Sequence, residues 1–204
     1  LAGEVDYIEA PPHDLHPLLK ANKNVYLFNW NPLGNQFTFR FNVLHKPFDN
    51  DKIRQAILYA LNQEDFLKAV VGSEEYYKVC KAMFICGTPF ETTAGFEDKL
   101  ESNFKKAREL LAEAKYDGTP FLLMHSTDLQ VLTNLAPVAK SLMERAGFKV
   151  DMQSMDWQTV VARRSKKDAP SAGGWNGFLT SWVAGDLLNP VMAGCANAGC
   201  DKAM

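Results

Sequence analysis

The feature that most narrows the fold is an alternation of element types across the second half of the chain. Phe121 to His125 is an apolar run of strand length. A helical pattern follows, in which Leu132, Leu135, Ala136, Ala139, Met143 and Ala146 recur at helix spacing and Gly147 supplies the stop. Thr127-Asp128-Leu129-Gln130 has the form of a capping box at its start, and Pro137 inside it should remove one backbone bond and bend it. Phe148 to Met155 predicts a second strand, Trp157 to Lys166 a second helix and Trp175 to Trp182 a third strand. Strand, helix, strand, helix, strand implies right-handed crossovers onto a mainly parallel sheet flanked by helices, an α/β fold.

Such a sheet has a preferred place for a ligand. Sites form outside the carboxyl ends of the strands, where loops meet helix amino termini. Three junctions of this kind are expected: His125-Ser126-Thr127-Asp128, Asp156-Trp157-Gln158, and Ser181-Trp182 through Asp186 to Asn189-Pro190. Ser126, Thr127, Asp128, Trp157, Trp182 and Asp186 are the candidate binding residues they supply.

The first half is organised around Phe37 to Gly72. Phe37, Phe39 and Phe41 alternate with Thr38, Arg40 and Asn42, so a strand would point three rings to one face and three polar groups to the other. Alternate aromatics suit a half-buried strand, and core is the simpler reading for these rings. Arg40 could grip a carboxylate with two bonds or make a structural ion pair. After Pro47, Asp49-Asn50-Asp51 offers capping oxygens, and Ile53, Ala56, Ile57, Ala60 and Leu61 fall at helical spacing. Gln63 to Gly72 predicts another helix.

The wording of this stretch resembles one family closely. Phe41-Asn42, Pro47-Phe48-Asp49-Asn50, Ile53-Arg54-Gln55-Ala56, Tyr59-Ala60 and Gln63 to Asp65 look like the signature of family 5 extracytoplasmic solute-binding proteins. These are the peptide, dipeptide and nickel receptors of ABC importers. Gly3-Glu4-Val5-Asp6 and the helix before Tyr116-Asp117-Gly118 extend the likeness over nearly the whole chain. The resemblance implies a periplasmic-binding-protein-like lobe, a periplasmic location, a membrane permease as partner and a small solute captured in a cleft between lobes. It also implies a fragment of a longer receptor. Residues 1–34 would end the other lobe and cross between lobes, and 35–204 would form the C-terminal ligand-binding lobe. In peptide-binding relatives an acidic residue after a tryptophan neutralises the peptide's amino group. Asp186 is the nearest match, although Gly185 and Leu187-Leu188 alter the spacing. Arg54 should tie its helix to backbone or acidic groups and not to ligand. An exported chain also makes structural disulfides the natural reading of Cys80, Cys86, Cys195 and Cys200. Cys80 with Cys86 is the most economical pair, although connectivity does not follow from sequence.

The remaining segments are less regular. Val5, Tyr7 and Ile8 suggest a short strand closed by Pro11-Pro12, and Asp14 to Ala21 one or two helical turns. Val25 to Trp30 alternates and predicts a strand leading through Asn31-Pro32-Leu33-Gly34 toward Phe37, as a hairpin or as successive strands. Trp30 is a candidate ligand-stacking ring. Ser73 to Phe96 reads as an ordered but irregular loop, and Asn103 to Ala114 as an amphipathic helix with a solvated charged face.

Several function classes fall away. A net charge of −2 with 23% charged residues implies no nucleic-acid partner. No Gly-x-Ser-x-Gly elbow, His-Glu-x-x-His or phosphate-cradling glycine loop occurs, so neither catalysis nor a cofactor is expected. His125, Ser126 and Asp128 are the residue types of a triad, and a small hydrolase-like α/β enzyme using His125, Asp128 and Asp156 is the alternative. Adjacent strand residues point to opposite faces, however, and cannot assemble a relay by themselves. His13 and His16 have metal-compatible spacing without a supporting carboxylate or thiolate cluster, and read as a solvated surface pair rather than a metal site.

Overall fold

The computed structural model of the 204-residue chain describes residues 2–190 and 193. Its centre is a four-stranded sheet of β1 (Asn35–Phe41), β2 (Phe121–Ser126), β3 (Val150–Met155) and β4 (Gly177–Val183) in the order β1-β4-β2-β3. β2 pairs in parallel with both β3 and β4, while β1 runs antiparallel to β4. The helices are α1 (His16–Ala21), α2 (Asp51–Ala60), α3 (Gln63–Val70), α4 (Phe104–Glu113), α5 (Gln130–Thr133), α6 (Leu135–Arg145) and α7 (Trp157–Arg164). The expected α/β lobe with its mainly parallel sheet is therefore present.

Period-two alternation builds two cores. Phe37, Phe39 and Phe41 of β1, Phe121 and Leu123 of β2 and Leu179 of β4 face α2, α4 and α6. Phe41, Phe48, Phe121 and Phe148 form a chain of rings with successive centroids 5.0, 5.0 and 6.2 Å apart. On the opposite face Leu122, Met124 and Phe178 meet Val160 of α7. Gly177 has to lack a side chain, since a Cβ there would lie 2.8 Å from the Phe39 ring.

Helix starts follow the asparagines. Asn50 accepts from the Lys52 amide, Asn62 from Glu64 and Asp65, and Asn103 from Lys106, so each satisfies orphan amides of a first turn. The Arg54 guanidinium donates to the Phe48 carbonyl at 2.5 Å, directed at backbone as expected. Asn176, 1% exposed, is the internal clasp. Its side chain accepts from the Leu122 amide at 2.8 Å and donates to the Lys46 carbonyl at 2.9 Å.

Several expectations need correction. Val5 to Ile8 and Val25 to Trp30 form no strand, because neither finds a ladder partner among the described residues; Tyr7, Tyr26, Phe28 and Trp30 stay exposed. The Phe37 strand accordingly joins no hairpin with them and pairs with β4. The long helix after β2 is two helices, parted at Asn134. Pro137 falls in the first turn of α6, where its missing N–H has no intrahelical role. The carbonyl four residues before it, that of Thr133, accepts from His125 Nε2 at 2.8 Å instead. The expected capping box does not form either: Leu129 occupies the cap of α5 with no side-chain bond.

The histidine pair is only half solvated, with His13 exposed and His16 buried. His16 is 8% exposed, and Tyr76 stacks on His13 (5.2 Å) and meets His16 edge-on (4.9 Å). Lys20 donates to the Tyr76 hydroxyl at 2.7 Å and pairs with Glu75 at 3.2 Å. Partial desolvation, and then the neighbouring His16, hold the pKa of His13 below its ordinary value, with Asp14 opposing. A lowered folded-state pKa means that the undocked form binds more protons just below pH 6.5, so acid loosens this contact. Docking of α1 onto the turn Glu74–Tyr76 should weaken as pH falls through the mid-6s and stay weak below the lowered pKa. Proteolytic nicking of residues 22–30, followed from pH 8 to pH 5, should rise in that window; a flat profile would remove His13 from the contact.

Candidate functional site

Parallel strands β2, β3 and β4 place their carboxyl ends along one edge, so the three expected junctions share a side of the molecule. Two of them close on each other. The Thr127 amide donates to the Met155 carbonyl at 3.1 Å. Asp128 Oδ1 accepts from the Trp157 amide at 2.7 Å and from the Ser126 hydroxyl at 3.1 Å. Asp128 thus helps to cap α7 from across the loop. Asp156 caps the same helix, accepting from the Thr159 amide at 2.9 Å and hydroxyl at 2.6 Å, and these bonds lower its pKa. The Trp157 ring packs against both cores. Ser126, Thr127, Asp128 and Trp157 are engaged in holding the edge together.

His125 and Ser126 stand apart, as alternation requires. The imidazole Nε2 donates to the Thr133 carbonyl, which leaves Nδ1 to accept from the Ser154 hydroxyl at 3.0 Å. No relay joins His125 to Ser126 or Asp128.

The third junction is open. β2 and β4 pair at only two positions, Leu123 with Gly177 and Met124 with Phe178, whereas β1 follows β4 for seven. Beyond Phe178 the strand leaves β2 behind and carries Trp182 to the edge. There the half-buried ring packs against the buried cluster of Ile85, Ala184 and Leu187, as Phe84 also does. Its indole Nε1 is buried with no hydrogen-bond partner among the described residues. The Ala184 amide donates to the Gly34 carbonyl at 2.9 Å, fixing the following turn, Ala184–Leu187. Asp186 sits exposed in that turn. Trp182 thus lies near the end of β4 and Asp186 in the turn that follows it, one ring and one carboxylate on the same edge.

The other two candidates lie elsewhere. Arg40 is on the same sheet face as Trp182 but pairs with Phe178, whereas Trp182 pairs with Gln36. Four residues of strand separate them, about 13 Å. Trp30 lies in the irregular segment before β1 and is 52% exposed. Gln36, the cross-strand partner of Trp182, and Phe84 and Ile85, which share its cluster, carry no sequence signal for such a role; only ladder register and the path of a long loop bring them there. Cys80 and Cys86 form a disulfide in that loop. Cys195 and Cys200 lie outside the described residues. Among the described residues no group of three or more His, Cys, Asp or Glu could hold a metal ion, and no helix is long and apolar enough to cross a membrane.

Comparison with known proteins agrees with this architecture. The family described as bacterial extracellular solute-binding proteins, family 5 Middle, matches residues 1–196. A relative from Sinorhizobium fredii, named a "probable peptide ABC transporter periplasmic-binding protein", is 35% identical over 181 residues, covering 87% of this chain and 34% of that protein. The glutathione-binding protein GsiB of Escherichia coli K12 is 27% identical over 190 residues, 89% of this chain and 34% of its own. Among solved structures, DppA from Helicobacter pylori in complex with the peptide STSA aligns with a TM-score of 0.66 at 19% identity, covering 89% of this chain and 33% of that one. The Escherichia coli murein tripeptide binding protein MppA gives 0.65 at 18%, covering 89% and 35%. The chain spans about a third of the length of the curated relatives it matches.

Proposed function

This chain belongs to the bacterial extracellular solute-binding proteins of family 5, and from that membership we propose that it forms most of one lobe of a periplasmic receptor. The receptor captures a peptide-like solute and delivers it to the membrane permease of an ABC importer. Residues 35–204 form the ligand-binding lobe, and residues 1–34 belong to the other lobe and the crossing between them. Solute binds without chemical change, held between lobes that close on it.

One observation supports the reading: Trp182, near the carboxyl end of β4, and Asp186, exposed in the turn after it, lie where an open α/β sheet receives ligand. The ring offers an apolar surface to a peptide side chain or backbone plane. The exposed carboxylate suits a terminal ammonium, and a charge-assisted bond between them contributes about 1.5–3 kcal/mol. The names of the Sinorhizobium fredii and Escherichia coli relatives favour peptides and glutathione as the first solutes to try.

Calorimetric titration of the full-length receptor with glutathione, di- to pentapeptides and their N-acetylated forms tests this. Free-amine peptides should bind, and N-acetylation should weaken them. Asp186→Asn should weaken the free-amine peptides about tenfold or more, since about 1.4 kcal/mol is one decade, and leave the acetylated ones nearly unchanged. Equal loss for both forms would take the ammonium away from Asp186, and no binding across the panel would overturn the peptide assignment.

A further inference from the structure

We propose that the Cys80–Cys86 loop is the seat of Trp182, and that a dithiol which reduces this disulfide releases the ring and weakens solute binding. The proposal rests on the assignment of Trp182 to the solute site.

The loop meets the body of the lobe at three places. At its start the Gln63 side chain grips the Cys80 backbone twice, donating to its carbonyl at 2.8 Å and accepting from its amide at 2.9 Å. In the middle, Gln36 Nε2 donates to the carbonyls of Ala82 (3.3 Å) and Met83 (3.1 Å). Gln36 is the cross-strand partner of Trp182, so the loop lies over the same rung of the β1–β4 ladder. Near its end Ile85, 8% exposed, packs with Ala184 and Leu187, and Phe84 and Trp182 lean on that cluster.

The ring's orientation depends on this packing. Its Nε1 has no hydrogen-bond partner among the described residues to tether it. The ring packs instead against the cluster of Ile85, Ala184 and Leu187, to which the loop contributes Ile85, the neighbour of Cys86. The disulfide carries the Gln63 clamp at Cys80 directly to Cys86, which closes the segment from 80 to 86 into a brace. Without the bond, Phe84 and Ile85 belong to an open loop that regains conformational freedom. Neither cysteine belongs to the main core, and both are half-buried, within reach of a small dithiol. In the reduction, a thiolate of the dithiol attacks one sulfur, the S–S bond breaks through a mixed disulfide, and the second thiol completes the exchange. Two cysteine thiols form and the dithiol becomes a disulfide, two electrons and two protons having been transferred.

The test uses the full-length receptor, trialanine as probe and hydrogen exchange of residues 180–188. Dithiothreitol treatment, with loss of the Cys80–Cys86 bond followed by mass, should weaken trialanine binding about tenfold and speed exchange at 182–188. The double variant Cys80→Ala/Cys86→Ala should show both effects without reductant and respond no further to it, which separates this bond from Cys195 and Cys200. Phe84→Ala, which leaves the disulfide and the main core intact, should speed the same exchange and serves if the double variant folds poorly. Unchanged exchange at 182–188 in reduced protein and in Phe84→Ala overturns the seat. Faster exchange with unchanged trialanine affinity overturns the coupling to binding. Failure of the oxidised receptor to bind any peptide bears on the proposed function alone, because the exchange measurement reads the seat without ligand.

Discussion

Phe48→Ala should be the most damaging single substitution in this lobe, lowering its stability by about 3–5 kcal/mol, the usual cost of truncating a buried phenylalanine. The ring is 0% exposed and sits between Phe41 of β1 and Phe121 of β2, 5.0 Å from each. It therefore joins the antiparallel edge of the sheet to the parallel part under α2. Its carbonyl also accepts from Arg54, so backbone collapse into the cavity would disturb the start of that helix. A cavity bordered by the sheet on two sides has little means of closing, which places the cost toward the upper end. Urea unfolding of wild type and variant, compared at equal slope, measures the change. A loss below about 1 kcal/mol would mean that the ring is not the internal joint described.

Trp182→Ala should weaken solute binding at least tenfold while leaving the lobe folded. A stacked tryptophan contributes about 1 kcal/mol beyond the area it buries, and the lost apolar contact carries the total past the 1.4 kcal/mol of one decade. The residue is only half-buried and stands outside the main core, in the small cluster with Ile85, Ala184 and Leu187, so the fold should tolerate its loss better than that of Phe48. Titration with the tightest peptide of the panel, beside a melting curve, separates the two effects. An unchanged dissociation constant with an intact fold would make Trp182 a packing residue and leave the carboxyl edge without an assigned ligand contact.

Much of this lobe is legible in local pattern. Apolar spacing along α2, α4 and α6 and alternation along β1 and β2 depend on near neighbours in the chain, and the buried residues fall where those periods put them. Asn50 caps α2 because a short side-chain oxygen beside an open first turn needs no distant partner. The strand–helix–strand order likewise places three strand ends on one edge, which is why the site could be sought there.

What the sequence could not decide depends on partners far along the chain. β1 pairs with β4, about 140 residues away, and that ladder alone sets Gln36 beside Trp182 and moves Arg40 four residues off. Asp128 reads as the start of the next helix, yet its carboxylate caps α7 from across the edge. Pro137 has no N–H for the Thr133 carbonyl four residues back, α5 ends at that residue, and the freed carbonyl goes to His125. Val25 to Trp30 alternates as a strand would but stays irregular, since alternation makes a strand only when a ladder partner exists to receive its hydrogen bonds. Period is a property of adjacent residues and can be read from them. Pairing, register and the destination of each polar group are settled by which surfaces meet, and only the tertiary structure brings those surfaces together.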